Sequence, residues 1–430
     1  MLWGLGVGYV ISGMYFGWNL GLEKGGTLGM ALATGIVMLM YVTFSFSYAE
    51  LACAIPKAGG AFDYAQIALG RDSGFFAGIA QLVEFIFAPP AIAFAIGAYF
   101  NSFFPQLPVL ATAMMAYLLF TAINVYGVKV AASFATIVTI LAVGGLLLFY
   151  SLSLPSFKKE NLVSNAFPFG WQGAFAALPF AIWFFLGIEG VANVAEESQN
   201  PQKDISRGFG WSMLTLILLC VLVFVLSIGI AGWEAIVYKN GVAGETSDSP
   251  LPLALTKIKG ENKIPGHIFI AVGLSGLIAS FHGLILAAGR STYEMGRTSN
   301  LPAFLGNISK KFHTPANALV VNMLIGMLAL LTGKTAEIII LSVFGALTLY
   351  ILSMISLLVL RKKQPQLNRP FKVPLYPLFP VVTLVIATVA LIAMCIYNFI
   401  LGIIYFLILT TAFALFKIFK PSAYDHSANN

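Results

Sequence analysis

Three glutamates stand inside long apolar runs of the sequence, where charged side chains are rare. They are Glu50, Glu84 and Glu189. An ionisable group in a membrane-spanning helix costs at least about 2.5 kcal/mol on insertion scales, so each glutamate is a functional candidate. Glu189 is the strongest of them, because Gly187 and Gly190 predict a broken helix whose backbone groups can bind a polar substrate. The alternative is that its carboxylate hydrogen-bonds to nearby backbone and only holds the break.

Glu84 has the surroundings that a cationic substrate needs. Phe85 and Phe87 accompany it in a stretch that is otherwise free of charge. An ammonium group that has lost its water is stabilised by a carboxylate through Coulomb attraction and by aromatic rings through cation–π contact. The alternative is a carboxylate that is solvated or lies among the lipid headgroups. For Glu50, near the end of its run, we favour a simpler interpretation, an ion pair at a helix end.

Aromatic and hydroxyl side chains form a second set of candidates. Trp183 precedes the glycines around Glu189, and its ring could gate a pocket, although aromatic residues in membrane helices also serve as packing or interfacial anchors. Tyr15 accompanies a similar group of glycines in the first apolar run. Ser275 and Ser280 are polar groups in a later run, where the alternative is a hydrogen bond to a neighbouring carbonyl.

The composition excludes a soluble globular protein. Of the 430 residues 59% are hydrophobic and 10% are charged, against roughly 25% charged in an average soluble domain. Motifs of hydrolases, zinc enzymes and P-loop ATPases are absent, and the three cysteines Cys53, Cys220 and Cys395 lack metal-ligand spacing. We therefore expect a membrane protein that is not an enzyme, has no cofactor or metal site and is not driven by ATP.

The elements that must position these residues are apolar spans. At about 20 residues per crossing, the composition suffices for about twelve membrane helices. Long apolar runs separated by Gly, Pro and charged residues support the same number. The predicted spans are 3–22, 28–55, 74–104, 109–126, 130–154, 171–192, 209–232, 267–290, 317–332, 337–360, 378–397 and 399–419.

The distribution of positive charge predicts the orientation. With the N-terminus in the cytoplasm, sixteen of the 24 Lys and Arg residues fall in loops inside the cell and eight fall outside. Cytoplasmic loops carry the excess of Lys and Arg, so both termini are predicted to be cytoplasmic. The net charge of +7 therefore reflects membrane topology, and we expect no nucleic acid partner. The predicted partners are the lipid bilayer and a small-molecule substrate.

The first ten spans predict an inverted repeat. Two groups of five place the second unit in the membrane in the opposite orientation, so spans one and six correspond. Each is interrupted, the first around Gly13 and Gly17, and paired interruptions predict a binding site near the midplane. The alternative is that these glycines only permit close helix packing. We divide the chain into a first repeat (1–155), a second repeat (156–360) and two further helices with a tail (361–430).

Four segments carry a resemblance to a known family. Two of them read YAELACAIPKAGGAFDYA at 48–65 and WFFLGIEGVANVAEESQNPQKDISRG at 183–208. The others read RSTYEMGRTSNLP at 290–302 and LRKKQPQLNRPFKVPLYP at 360–377. Together they resemble the amino acid, polyamine and organocation transporter superfamily, over nearly the whole chain. The resemblance implies an all-α LeuT-type fold, alternating access across the plasma (inner) membrane, and a substrate held by the broken segments of helices one and six.

Helix one departs from the pattern of the amino acid permeases in this superfamily. Those permeases have a small GSG-type break whose backbone amides take the substrate carboxylate, whereas this chain reads Gly17, Trp18, Asn19. A Trp and an Asn amide suit a hydroxyl in place of the carboxylate, and GVGYVISGMYFGWNLGLEKGG resembles the ethanolamine permease branch. The substrate-binding residues expected on this basis are Gly13, Tyr15, Gly17, Trp18, Asn19, Glu84, Trp183, Gly187 and Glu189.

Alternatives to this function remain open. The nearest is a permease for basic or neutral amino acids, and a more distant one is a sensor or channel. Some proton-coupled members of the superfamily carry a lysine in helix five, but 130–154 contains no charge. Symport of H⁺ through Glu189, symport of Na⁺ through carbonyls of helix one and the hydroxyls of Ser275 and Ser280, and uncoupled uniport all stay possible. The family's usual cytoplasmic leader is missing, so we expect a truncated or misassigned start.

Overall fold

The protein is all-helical in the part that the structure describes. The structure is a computed structural model, and it describes residues 2–102, 104–127, 131–197, 201–239, 245–258 and 266–419. Within these ranges the extended structure amounts to one isolated bridge between Tyr238 and Thr246. Residues 198–200 of the 183–208 motif, and residue 130 at the start of the predicted fifth span, lie outside the described residues.

Each predicted apolar span contains α-helix, and the spans 3–22 and 171–192 are interrupted by residues that are not helical. In chain order the α-helices are α1 (Leu2–Val10), α2 (Ser12–Tyr15), α3 (Asn19–Ala54), α4 (Ala61–Leu69), α5 (Arg71–Asn101), α6 (Val109–Tyr126), α7 (Ala131–Ser153), α8 (Glu160–Val163), α9 (Gly170–Ala176), α10 (Leu178–Trp183), α11 (Pro201–Ala231), α12 (Glu234–Val237), α13 (Pro250–Leu255), α14 (Gly266–Arg297), α15 (Ala316–Leu330), α16 (Thr335–Lys363), α17 (Leu378–Tyr397) and α18 (Phe399–Ile418). A 3₁₀ segment, Ile188–Glu197, follows α10.

These helices have the dimensions of a multi-pass membrane protein. Among the described residues eight helices are long and apolar enough to cross a membrane alone, and a pair bent by 42°, Gly170–Ala176 with Leu178–Ala192, makes a ninth. The predicted fold class, an all-α membrane protein with many spans, is confirmed. The predicted boundary between spans one and two falls inside α3, where Gly26 has φ 64° and the helix kinks. Glycine adopts this conformation without the steric penalty of a Cβ.

The helix α5 forms the centre of the bundle. In its most apolar stretch 94% of the residues are buried, whereas the corresponding value for α6 and α18 is 22%. Since lipid-facing helices keep much of their surface exposed to the bilayer, α6 and α18 lie at the periphery. At Gly345 the backbone of α16 approaches α5 so closely that a Cβ would lie 2.7 Å from the Glu84 nitrogen. The hydroxyl of Ser342 also donates to the Glu84 carbonyl at 3.1 Å.

At the far end of α3, Glu50 forms the ion pair that the sequence predicts. Both of its carboxylate oxygens accept hydrogen bonds of 2.7 Å from Arg361 at the end of α16. The backbone nitrogen of Val373 donates to the same carboxylate at 2.7 Å, and Arg369 lies 3.4 Å away. The guanidinium of Arg361 also covers the ring of Tyr376 at 4.5 Å. A buried carboxylate therefore ties the ends of two spans to the segment 364–377.

Candidate substrate site

The first span is interrupted at the position that the sequence predicts. The helix α2 ends at Tyr15, Phe16 is extended, and Gly17 has φ 87° before α3 begins. The side chain of Asn19 stabilises this break, since its Oδ1 accepts a hydrogen bond of 3.1 Å from the Gly17 nitrogen. Its Nδ2 donates to the carbonyl of Ser247 at 2.8 Å. Both ends of the Asn19 amide are thus bound within the protein.

The sixth span is interrupted in a corresponding way. The helix α10 ends at Trp183, a turn covers 184–187, and Gly187 has φ 96°. The chain continues as the 3₁₀ segment, in whose first turn Glu189 lies. Gly187 therefore takes a conformation that other residues rarely adopt. This conformation changes the direction of the chain just before the 3₁₀ segment that contains Glu189.

The two interruptions contact each other. The indole Nε1 of Trp183 donates to the carbonyl of Phe16 at 3.1 Å, and the two rings meet edge to face at 5.4 Å. A Cβ on Gly13 would lie 3.1 Å from the Cα of Phe184, and a Cβ on Gly17 would lie 2.5 Å from the indole nitrogen of Trp183. Gly13 and Gly17 therefore permit the close packing that the sequence interpretation kept as an alternative.

Beside the break in the sixth span, two carboxyl groups are buried together. Glu84 of α5 is 0% exposed and Glu189 is 1% exposed, and their carboxyl groups face each other closely enough to interact. The hydroxyl of Tyr350 donates to Oε2 of Glu189 at 3.0 Å, and the hydroxyl of Tyr41 lies 3.0 Å from that of Tyr350. Both oxygens of Glu84 and Oε1 of Glu189 accept no hydrogen bond of good geometry, although the backbone N–H of Gly187 lies near the Glu84 carboxyl. We call Glu84 and Glu189 the carboxyl pair.

The surroundings of the carboxyl pair are acidic or phenolic. Among the described residues, the phenols of Tyr41, Tyr48, Tyr350 and Tyr405 interact electrostatically with it. On α5 the nearest basic residue to Glu84 is Arg71, about 20 Å away along the helix at ~1.5 Å per residue. A site with this charge distribution attracts a cation.

The sequence matches the family model described as amino acid permease over residues 2–413. The chain belongs to the amino acid permease family. It is 28% identical over 394 residues to the branched-chain amino acid permease of Bacillus subtilis (strain 168), covering 86% of this chain and 82% of that protein. The methylthioribose transporter of the same organism is 26% identical over 380 residues, covering 80% of this chain and 78% of that protein.

A plant relative is also similar. The vacuolar cationic amino acid transporter 4 of Arabidopsis thaliana is 28% identical over 308 residues, which cover 66% of this chain and 48% of that protein. These relatives are transporters and not enzymes, in agreement with the class predicted from the sequence. The family membership gives the two interrupted spans a context, a small-molecule transporter embedded in a membrane.

Two of the predicted aromatic residues, Trp18 and Tyr15, pack around the first span. Trp18 stacks on Phe184 with ring centroids 5.6 Å apart, and its indole nitrogen donates to the carbonyl of Met14 at 3.2 Å. The hydroxyl of Tyr15 donates to the carbonyl of Ala142 in α7 at 2.6 Å. These contacts support the shape of the interrupted helix.

Ser280 of α14 forms hydrogen bonds to the first span. Ser280 donates to the carbonyl of Gly8 at 2.7 Å and accepts a hydrogen bond of 3.0 Å from the nitrogen of Ser12. It therefore bridges the step between α1 and α2. Ser275 lies on the same helix. Across the described parts of the chain, no group of three or more His, Cys, Asp or Glu side chains has the geometry to hold a metal ion.

A loop between α11 and α14 contacts the first span at Asn19, just after the interruption. Its Ser247 carbonyl accepts the hydrogen bond from Asn19, and Asp248 next to it accepts one of 3.2 Å from the hydroxyl of Thr335 at the start of α16. Burial raises the pKa of Asp248, while the charge of Lys239 and the hydrogen bond from Thr335 oppose this shift. The loop therefore connects the interruption in span one with span ten.

Proposed function

We propose that the permease imports a small organic cation by alternating access, and that the cation is ethanolamine. The observation that carries this proposal is the carboxyl pair, buried at the break in span six with three oxygens that accept no hydrogen bond of good geometry. An ammonium group has three N–H donors and one positive charge, so it can satisfy these oxygens and neutralise one carboxylate.

The interruption in the first span favours an amino alcohol over an amino acid as the substrate. A substrate carboxylate needs donors, and two backbone N–H groups there are already bound within the protein. The nitrogen of Gly17 donates to Asn19, and that of Ser12 donates to Ser280. The hydroxyl of ethanolamine can donate as well as accept, so it does not depend on free backbone amides. Trp183 lies between the two breaks, where its ring can cover the substrate.

The second candidate function is the transport of amino acids. Two relatives are named for amino acids, branched-chain in one case and cationic in the other, although a third is named for methylthioribose. A cationic amino acid would also satisfy the carboxyl pair through its side chain. Its carboxylate could bind the backbone nitrogens of Gly17 and Ser12 only by displacing Asn19 or Ser280.

We further propose that the permease lies in the inner membrane with both termini in the cytoplasm. The excess of Lys and Arg in alternate loops supports this orientation. It places Glu50 and Arg361 at the cytoplasmic ends of α3 and α16, and it places the loop around Ser247 outside.

Uptake of labelled ethanolamine into proteoliposomes tests the substrate. We expect saturable uptake that an excess of unlabelled amino acids does not inhibit, with protein-free liposomes as the control for passive entry of the neutral amine. Uptake of an amino acid without uptake of ethanolamine would establish the second candidate instead. Flux that does not saturate would indicate a channel, and binding without uptake would indicate a sensor.

Replacement of Trp183 by Ala tests the contact of this ring with the substrate. If the indole packs on a desolvated ammonium, its removal weakens binding by about 1 to 3 kcal/mol, which is roughly a 5- to 150-fold higher KM. The measurement is the concentration dependence of ethanolamine uptake. Trp211→Ala is the matched control, because Trp211 is 62% exposed on α11 and lies away from the breaks. An unchanged KM for Trp183→Ala would assign its ring to packing alone.

A further inference from the structure

The carboxyl pair poses a bonding problem that the protein itself does not solve. An ionised carboxylate only accepts hydrogen bonds, yet three of the four oxygens accept none of good geometry and are buried. Two adjacent negative charges buried in the protein are strongly unfavourable, and one cation between them removes most of this cost. The phenols of Tyr41, Tyr48, Tyr350 and Tyr405 surround the pair and carry no positive charge.

We propose that the carboxyl pair holds one cation at a time, either the ammonium group of the substrate or a proton, so that the permease exchanges external ethanolamine for an internal proton. This inference rests on the proposed function and adds the coupling ion and the direction in which it moves. It differs from the symport and uniport alternatives that the sequence leaves open.

The exchange is balanced in atoms and charge. In the empty carrier an O–H of one carboxyl donates to the facing oxygen of the other, and the pair carries one negative charge. When the ammonium arrives, that proton leaves to water and the N–H groups donate to the carboxylate oxygens instead. The pair again carries one net negative charge. Each cycle moves one positive charge inward and one outward, so the exchange is electroneutral.

Symport would need a less favourable state of the carrier. After releasing substrate and proton together, the carrier would have to return with both Glu84 and Glu189 bare and ionised. The phenol of Tyr350 donates to one of the four oxygens, and the other three accept no well-formed hydrogen bond, although the Gly187 N–H lies near Glu84. Uniport would avoid that state by keeping the proton, but it would move net charge and would respond to the membrane potential.

Gradients imposed on proteoliposomes distinguish these schemes. In one-to-one exchange each unit of inside-acid pH difference supports about tenfold accumulation of ethanolamine. We expect uptake to be stimulated by acid inside, inhibited by alkali inside and unchanged by a potassium diffusion potential set with valinomycin. A pH dye trapped inside is expected to report loss of one proton per ethanolamine, after subtraction of the signal from protein-free liposomes, where neutral amine also raises the internal pH.

Substitutions show whether the carboxyl pair is responsible. Glu84→Gln and Glu189→Gln are each expected to lose the accumulation driven by acid inside. Glu337→Gln keeps it, since Glu337 is at the start of α16 in an exposed pair with Lys334. Stimulation of wild-type uptake by alkali inside, or by a negative potential without an effect of pH, would overturn the exchange and leave the proposed substrate intact. Absence of saturable ethanolamine uptake would overturn both.

Discussion

Replacement of Glu189 by Gln is expected to reduce ethanolamine uptake about 150-fold. The glutamine keeps the size of the side chain and an oxygen that can accept the hydrogen bond from Tyr350. It removes the negative charge, so the ammonium loses one of its two carboxylates in a buried site. Removing one partner of a buried ion pair costs about 3 kcal/mol or more, which corresponds to the stated factor. The measurement is kcat/KM for uptake, obtained from initial rates at ethanolamine concentrations from limiting to saturating.

Two further variants separate the charge of Glu189 from its role in holding the break. Tyr350→Phe removes the phenol donor and leaves the carboxylate, so we expect a smaller loss of roughly fivefold, from about 1 kcal/mol for one hydrogen bond. Glu337→Gln is expected to transport like the wild type, because its carboxylate is exposed. Wild-type uptake in Glu189→Gln, with the same elution volume in size-exclusion chromatography, would show that Glu189 only holds the broken helix.

The sequence predicts the fold well because each membrane helix is a long run of apolar residues. The spans 109–126, 378–397 and 399–419 coincide with α6, α17 and α18 within one residue. The interruptions can also be predicted, because Gly17 and Gly187 each lie two residues before a polar residue, Asn19 and Glu189. Each glycine takes a positive φ in the structure. Membrane energetics therefore determine where helices begin, end and break.

The arrangement of the site could be predicted only in part. The cost of burying charge identifies Glu84 and Glu189 one by one, but their contact depends on how α5 and the 3₁₀ segment pack. The sequence does not identify Tyr41 and Tyr350 as neighbours of the pair, since tyrosines in apolar runs usually anchor helices at the membrane interface. The spacing of Tyr41 and Tyr48 could have identified Tyr41, because residues seven apart lie on the same face of a helix.

Asn19 shows why long-range contacts change the interpretation of a residue. Its neighbours in the sequence predict a contact with the substrate, because an amide suits a hydroxyl. In the structure that amide binds the carbonyl of Ser247, which is 228 residues away in sequence, and the nitrogen of Gly17. No local pattern reports such a contact. Asn19 therefore fixes the backbone of the break and occupies the Gly17 nitrogen as a donor.

The second large effect is expected for the stability of the protein when Glu50 is replaced by Gln. The carboxylate of Glu50 is 1% exposed, and it faces Arg361 and Arg369, whose side chains are 21% and 6% exposed. The amide cannot neutralise two guanidinium groups, and its NH₂ cannot accept a hydrogen bond from Arg361 or Val373. Breaking a buried pair from one side costs about 3 to 5 kcal/mol, so we expect a markedly lower temperature of unfolding in detergent.

An exposed ion pair provides the matched control for Glu50→Gln. Asp72 and Lys417 meet at 2.7 Å and also join two spans, but their side chains are 53% and 41% exposed. Such pairs contribute about 0 to 1 kcal/mol, so Asp72→Asn is expected to unfold close to the wild-type temperature. Unfolding can be followed by the loss of the monodisperse peak after heating. Equal shifts for the two variants would mean that burial of Glu50 adds nothing, and that the segment 364–377 is held by its other contacts.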